Sequence, residues 1–167
     1  MNATLNALLA KGAAAAPAIR APGRPALSYA GLRDLAAATI ARLNGIGIGR
    51  NDRVAIVLPN GPEMAAAFIA IGAGATTAPL NPSYRADEFN FYLTDLKAKA
   101  LVVQRGLATE ARDVAAKLGV AVLELVPGEH AGSFTLEGGS PAKAAKPGVQ
   151  ITAPPAPREE STAAISP

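Results

Sequence analysis

Arg53-Val54-Ala55-Ile56-Val57-Leu58-Pro59-Asn60-Gly61-Pro62 carries an unbroken apolar run straight into a turn and a helix start. Val54 to Leu58 is too short for a helix and rich in β-branched residues, the pattern of a strand covered on both faces. Pro59-Asn60-Gly61 ends it, and Pro62 suits a first helical turn, where its missing N–H costs nothing. Met64, Ala67, Phe68 and Ile71 then mark one buried face of that helix.

The same alternation continues on either side. Upstream, Leu32, Leu35, Ala36, Thr39, Ile40 and Leu43 recur at helical spacing, with Arg33, Asp34 and Arg42 turned outward. Ser28 is the expected N-cap and Asn44-Gly45 the left-handed stop. Downstream, Thr76 to Leu80 reads as a short extended segment, since Pro79 and Pro82 block a helix. Asp87-Glu88 opens a helix with Phe89, Tyr92, Leu93 and Leu96 on one face. Ala100 to Val103 is a strand, Thr109 to Leu118 a helix with Ala111, Val114, Ala115 and Leu118 inward, and Ala121 to Leu123 another strand. Alternation of this kind predicts an α/β fold, a mainly parallel sheet covered by helices through right-handed crossovers.

From Pro127 onward the periodicity fades, and half of the 14 prolines lie in this last quarter. The sequence therefore predicts one domain over residues 1–126 and an irregular Pro/Gly/Ala-rich linker or tail over 127–167.

Bulk composition narrows the function. The chain has 167 residues, half of them apolar with alanine in excess, and a formal net charge of +3. The basic residues are dispersed and aromatics are few, which argues against a nucleic-acid surface. Cysteine is absent, which removes disulfides and thiolate chemistry and suits a cytoplasmic location. The start lacks the basic entry region of a secretory signal, and the longest apolar run, Ala65 to Leu80, is broken by Gly72, Gly74, Thr76 and Thr77 and is too short to span a bilayer.

Several motifs reduce to structure. Gly45-Ile46-Gly47-Ile48-Gly49 follows a helix and precedes a strand, the reverse of a dinucleotide fingerprint, and reads as a helix-terminating turn. Thr135 to Lys143 has some ingredients of a phosphate loop, but Glu137 would repel phosphate and the run of hydroxyls is missing, so a solvated linker is the better reading. His130 is the lone histidine and is expected at the surface. The acidic pairs Asp87-Glu88 and Glu159-Glu160 read as solvated charges. No catalytic, cofactor-binding or metal-ligating set assembles.

The stretch Asp52 to Glu63, with Phe68-Ile69-Ala70-Ile71-Gly72-Ala73-Gly74-Ala75 and Ala78-Pro79-Leu80-Asn81-Pro82, resembles the N-terminal subdomain of the AMP-forming acyl-CoA synthetases. The continuation through Tyr84, Glu88-Phe89, Phe91-Tyr92-Leu93 and Asp95 to Val103 is similar to oxalate–CoA ligase and related acid–CoA ligases. The resemblance runs from Leu5 to Leu125. It implies a parent reaction in which ATP and magnesium activate a carboxylic acid to an acyl-adenylate, followed by thioester formation with CoA. The phosphate loop, adenine motif, ribose-binding Asp and adenylation Lys of that family have no matching positions here. The expectation is a truncated chain, inactive alone, that needs no cofactor itself. Gly31 stands where relatives often carry the Glu of a capping box. By the same resemblance, Asn81, Pro82, Ser83, Tyr84 and Arg85 are candidates for a wall of the acid or pantetheine channel. A second reading is an interaction module that pairs with the missing ligase portion, or with itself, through an exposed apolar face.

Overall fold

A computed structural model describes residues 4–139. In chain order the elements are α1 (Leu5–Leu9), β1 (Pro17–Ala21), β2 (Arg24–Ser28), α2 (Tyr29–Asn44), β3 (Arg53–Val57), α3 (Pro62–Gly72), β4 (Thr76–Pro79), α4 (Ala86–Asp95), β5 (Ala100–Gln104), α5 (Ala111–Lys117), β6 (Ala121–Pro127) and β7 (Phe134–Gly138). The main sheet has the order β4-β3-β5-β6-β7, and β1 and β2 form a separate hairpin. The α/β, mainly parallel architecture expected from the alternation is the one observed: β4, β3, β5 and β6 are parallel, and β7 alone runs antiparallel.

Period-two alternation along a strand sends neighbouring side chains to opposite faces, so the all-apolar strands build two cores at once. Val54, Ile56 and Leu58 join Val102, Leu123 and Leu125 under α2, α3 and the hairpin. Ala55 and Val57 join Leu101 and Val103 under α4 and α5. Val54 to Val57 are each fully buried, as are Ala100 to Val103.

The helix starts follow the sequence logic. Ser28 is extended, and its hydroxyl accepts from the Gly31 N–H at 3.1 Å. A Cβ on Gly31 would stand 2.8 Å from Leu27 Cδ1, so the glycine that forgoes the capping box also makes room for that buried leucine. Pro62 takes the first turn of α3. Glu88 accepts from the Arg85 N–H at 2.9 Å, which gives the acidic start of α4 a structural use.

The ends of α2, α4 and α5 share one device. In each, an i→i+5 main-chain bond closes over a residue of positive φ: Ile48 to Leu43 over Gly47, Ala98 to Leu93 over Lys97, and Val120 to Ala115 over Gly119. The left-handed residue of α2 is thus Gly47, while the expected Gly45 stays helical with φ −62°. The reading of Gly45 to Gly49 as a helix-terminating turn stands. Two of these sites carry glycine; Lys97, at φ 48°, does not.

Other expectations are corrected. Phe68 is 46% exposed and Leu118 is 39% exposed, where the helical spacing predicts both inward. Ala67 and Ile71 face inward as expected, and Ala66 and Ala70 complete the inner face of α3, where small side chains let α3 approach α2. Just past the end of α3, Gly74 also packs closely on α2: a Cβ there would lie 2.6 Å from Ile40 Cγ1. Arg33 and Arg42 do not simply face water. Arg33 donates to the Leu9 and Gly12 carbonyls, both at 3.1 Å, and Arg42 donates to Leu136 and Gly138.

The chain past the expected boundary at 126 is also regular as far as Gly138. Phe134 and Thr135 to Leu136 pair with β6, so Thr135 to Glu137 form neither a phosphate loop nor a linker but an edge strand. Its inner residues Phe134 and Leu136 pack on the first core. The rest of that motif, from Ser140 to Lys143, and the tail with Glu159-Glu160 lie outside the described residues. The β1–β2 hairpin lies outside the helix–strand alternation, and its signal in the sequence is the turn Pro22-Gly23, with Gly23 at φ 71°.

Gly74→Ala should lower stability by about 1–3 kcal/mol through overpacking against Ile40. Lys97→Gly should raise it by roughly 0.5–1 kcal/mol by relieving the left-handed residue, less the entropy that glycine loses on folding. Urea denaturation of both variants checks the opposite signs.

Candidate functional site

Leu58, Asn60, Met64, Pro79, Leu80, Asn81, Pro82 and Ser83 enclose an open cleft of about 460 Å³. It lies outside the carboxyl ends of β3 and β4, the usual ligand position in an open α/β sheet. Parallel register makes the cleft. Ile56 pairs with Pro79 and the Leu80 N–H donates to the Ile56 carbonyl at 2.9 Å, so the two strands release their loops side by side.

Local chemistry then shapes each wall. Asn81 Oδ1 accepts from the Ser83 N–H at 2.9 Å, an Asx turn that holds the loop after β4 in place. On the opposite side, Pro59-Asn60-Gly61 leads into the first turn of α3, which delivers Met64. The lining combines the apolar Leu58, Met64, Pro79 and Leu80 with the neutral polar groups of Asn60, Asn81 and Ser83. None of the lining residues carries a charge.

Of the five residues singled out in the sequence, the structure brings Asn81, Pro82 and Ser83 to this cleft. Tyr84 turns away. Its ring stacks on Tyr92 at 5.2 Å and meets Phe89 edge-on at 5.8 Å, which places it with the core beneath α4. Arg85 is exposed at the N-cap of α4. Sequence reasoning missed Asn60 and Met64 as lining groups, although the turn at the end of the apolar run was the available signal.

Farther along the carboxyl side of the sheet lies an ionic cluster. The β6–β7 register sets Glu124 opposite Glu137. Like charges in that position repel. Arg105 spans both, with ion pairs of 3.2 Å to Glu124 and 2.5 Å to Glu137, and Arg112 adds one of 3.0 Å to Glu124. Hydrogen bonds from Arg105, then Arg112, hold the Glu124 carboxyl below its ordinary range. His130 is exposed, as expected, and its carbonyl accepts from Arg24 and from the Ser133 hydroxyl, both at 2.8 Å. Among the described residues no group of three or more His, Asp or Glu is placed to hold a metal ion, and no helix is long and apolar enough to cross a membrane.

A family model described as AMP-binding enzyme matches residues 9–166. A probable CoA ligase from Humulus lupulus is 37% identical over 132 residues, covering 76% of this chain and 25% of the relative. An oxalate–CoA ligase from Arabidopsis thaliana is 39% identical over 105 residues, covering 62% of this chain and 20% of the relative. The crystal structure of apo MatB from Rhodopseudomonas palustris matches with a TM-score of 0.66 and 29% identity, over 79% of this chain and 27% of that one. The chain therefore spans about a quarter of the length of these proteins.

The ionic cluster yields a pH test. Because Glu124 is depressed in the folded state, its stabilisation is present above the ordinary carboxylate range and is lost as pH falls through the depressed value. Glu124→Gln should flatten the acid limb of the melting temperature against pH, relative to the parent chain.

Proposed function

The chain belongs to the AMP-binding enzyme family, and from that premise we propose that it supplies the N-terminal scaffold of an acid–CoA ligase, with Asn81, Pro82 and Ser83 forming one wall of the acid or pantetheine channel of the complete enzyme. The parent reaction is activation of a carboxylic acid by ATP, with magnesium, to an acyl-adenylate, then transfer of the acyl group to CoA. The observation that carries the reading is the cleft at the carboxyl ends of β3 and β4, built from the Pro-Asn-Gly turn and the Asn81–Ser83 Asx turn.

The fit of each group to this cleft differs. A triphosphate with its metal does not fit, because the lining offers neither a cation nor a carboxylate. No step of adenylation is assigned to these residues. An uncharged polar segment of a substrate does fit: Asn60, Asn81 and Ser83 present polar groups to it, and Leu58, Met64 and Leu80 offer apolar contact. In this reading the chain's own part is to bind and orient, and alone it does not adenylate. The phosphate-loop and adenylation residues that the reaction requires have no matching positions in the sequence. A cytoplasmic setting goes with this role.

A second reading is favoured by exposed aromatic surface. Phe68 on α3 and Phe91 on α4 are 46% and 63% exposed, and Phe91 packs edge-on against Tyr92 at 5.3 Å. Such groups would serve contact with the remaining ligase portion or with a second copy.

Mixed with ATP, magnesium, CoA and a panel of short carboxylic acids, the chain should release no pyrophosphate; acid-dependent release overturns its proposed inactivity. Titration with pantetheine, followed by amide NMR, should shift the N–H groups of Leu58, Asn60, Met64, Leu80, Asn81 and Ser83. Shifts confined to other segments would remove the channel assignment.

A further inference from the structure

The chain holds two Asn-Gly pairs, and the fold treats them oppositely. Asn44-Gly45 closes α2: Gly45 keeps a helical φ of −62° and its N–H donates to the Ala41 carbonyl at 3.0 Å. Asn60-Gly61 sits in the loop between β3 and α3, where both residues are exposed and Gly61 is extended at φ 165°. Among the described residues, the Gly61 N–H donates to no protein acceptor and the Asn60 carboxamide makes no hydrogen bond. Asn60 also borders the cleft.

We propose that Asn60 is a site of spontaneous deamidation, a covalent change that puts a negative charge on the wall of the cleft. The Gly61 main-chain nitrogen gives up its proton and attacks Asn60 Cγ. A nitrogen–Cγ bond forms, the Cγ–Nδ2 bond breaks, and ammonia leaves with a proton supplied by the solvent, giving a cyclic imide. Water then adds to one of the two ring carbonyls and reopens the ring as aspartate or isoaspartate. The balance is carboxamide plus water to carboxylic acid plus ammonia, with no change of oxidation state.

Two features of position 61 make the attack available. Glycine has no Cβ to crowd the nitrogen, and a free N–H leaves that nitrogen uncommitted. At position 45 the nitrogen is held in the last turn of a helix, so the end of α2 must first open. The product is also well placed. A carboxylate just before the first turn of α3 meets the positive end of the helix, and it adds a charge to a cleft whose lining residues carry none. Isoaspartate would in addition lengthen the main chain between β3 and α3. Repulsion of an acidic substrate rests on the channel reading above; the deamidation itself does not.

The experiment incubates the intact chain in mildly alkaline buffer, native and in parallel in concentrated urea, and follows both asparagines by peptide mass spectrometry. Isoaspartyl methyltransferase labelling locates the isomerised product. In the native chain Asn60 should convert faster than Asn44 by about tenfold or more, the factor set by a local opening of ~1.4 kcal/mol. In urea the two rates should converge. Gly61→Ala should fold, since a Cβ there meets only Glu63 Oε2 at 4.0 Å, and it should slow native conversion at Asn60. Equal native rates at the two sites, or an Asn60 that stays intact in the native chain while converting in urea, overturns the proposal. Loss of the channel reading through the NMR titration would leave these outcomes unchanged.

Discussion

Complete burial of β3 on both faces is the constraint on which the rest of this molecule depends. Val54 to Val57 have no access to water, so each inward residue needs a covering helix and each main-chain group needs a neighbouring strand. β4 and β5 meet the second need in parallel register, and parallel strands require crossovers, which α3 and α4 provide. The two cores, the layer order and the cleft at the carboxyl ends all follow. Alanine is what lets α3 lie close enough to α2 to seal one side; bulk on that face would lift the helix off the sheet.

How much of this was legible depends on where the information sits. Val54 to Leu58, Ala100 to Val103, Ser28 and Pro62 declare themselves, because a continuous apolar run or a cap has few alternative readings. Phe68 and Leu118 misled for a physical reason: hydrophobicity ranks them above alanine, yet close helix packing is decided by size. The strand Phe134 to Gly138 was hidden because its alternation is brief and surrounded by glycine. Its place on the sheet rests on its pairing with β6 and on Phe134 and Leu136 reaching the first core, which no local window can display.

The candidate site divides in the same way. Asn81 to Ser83 could be named because a polar loop following a strand is visible in sequence. Asn60 and Met64 could not be assigned to the same cleft without the register of β3 against β4, a long-range property. Tyr84, next in sequence to Ser83, leaves the cleft because the aromatic face of α4 offers it Phe89 and Tyr92. Adjacent positions in the chain thus serve different layers of the fold.

The scattered arginines acquire a shared purpose once their partners are seen. Arg24 reaches the carbonyls of Gly128, Glu129 and His130, Arg33 those of Leu9 and Gly12, Arg42 those of Leu136 and Gly138, Arg53 that of Leu96, and Arg112 those of Gln104 and Leu107. A planar fork of several N–H donors can tie two or three loop carbonyls together, whereas an ammonium on a flexible stem cannot reproduce that geometry. Substitution tables that score arginine and lysine as near-equivalents therefore misjudge this scaffold, and a designer who trades one for the other to tune surface charge would be unpicking its seams.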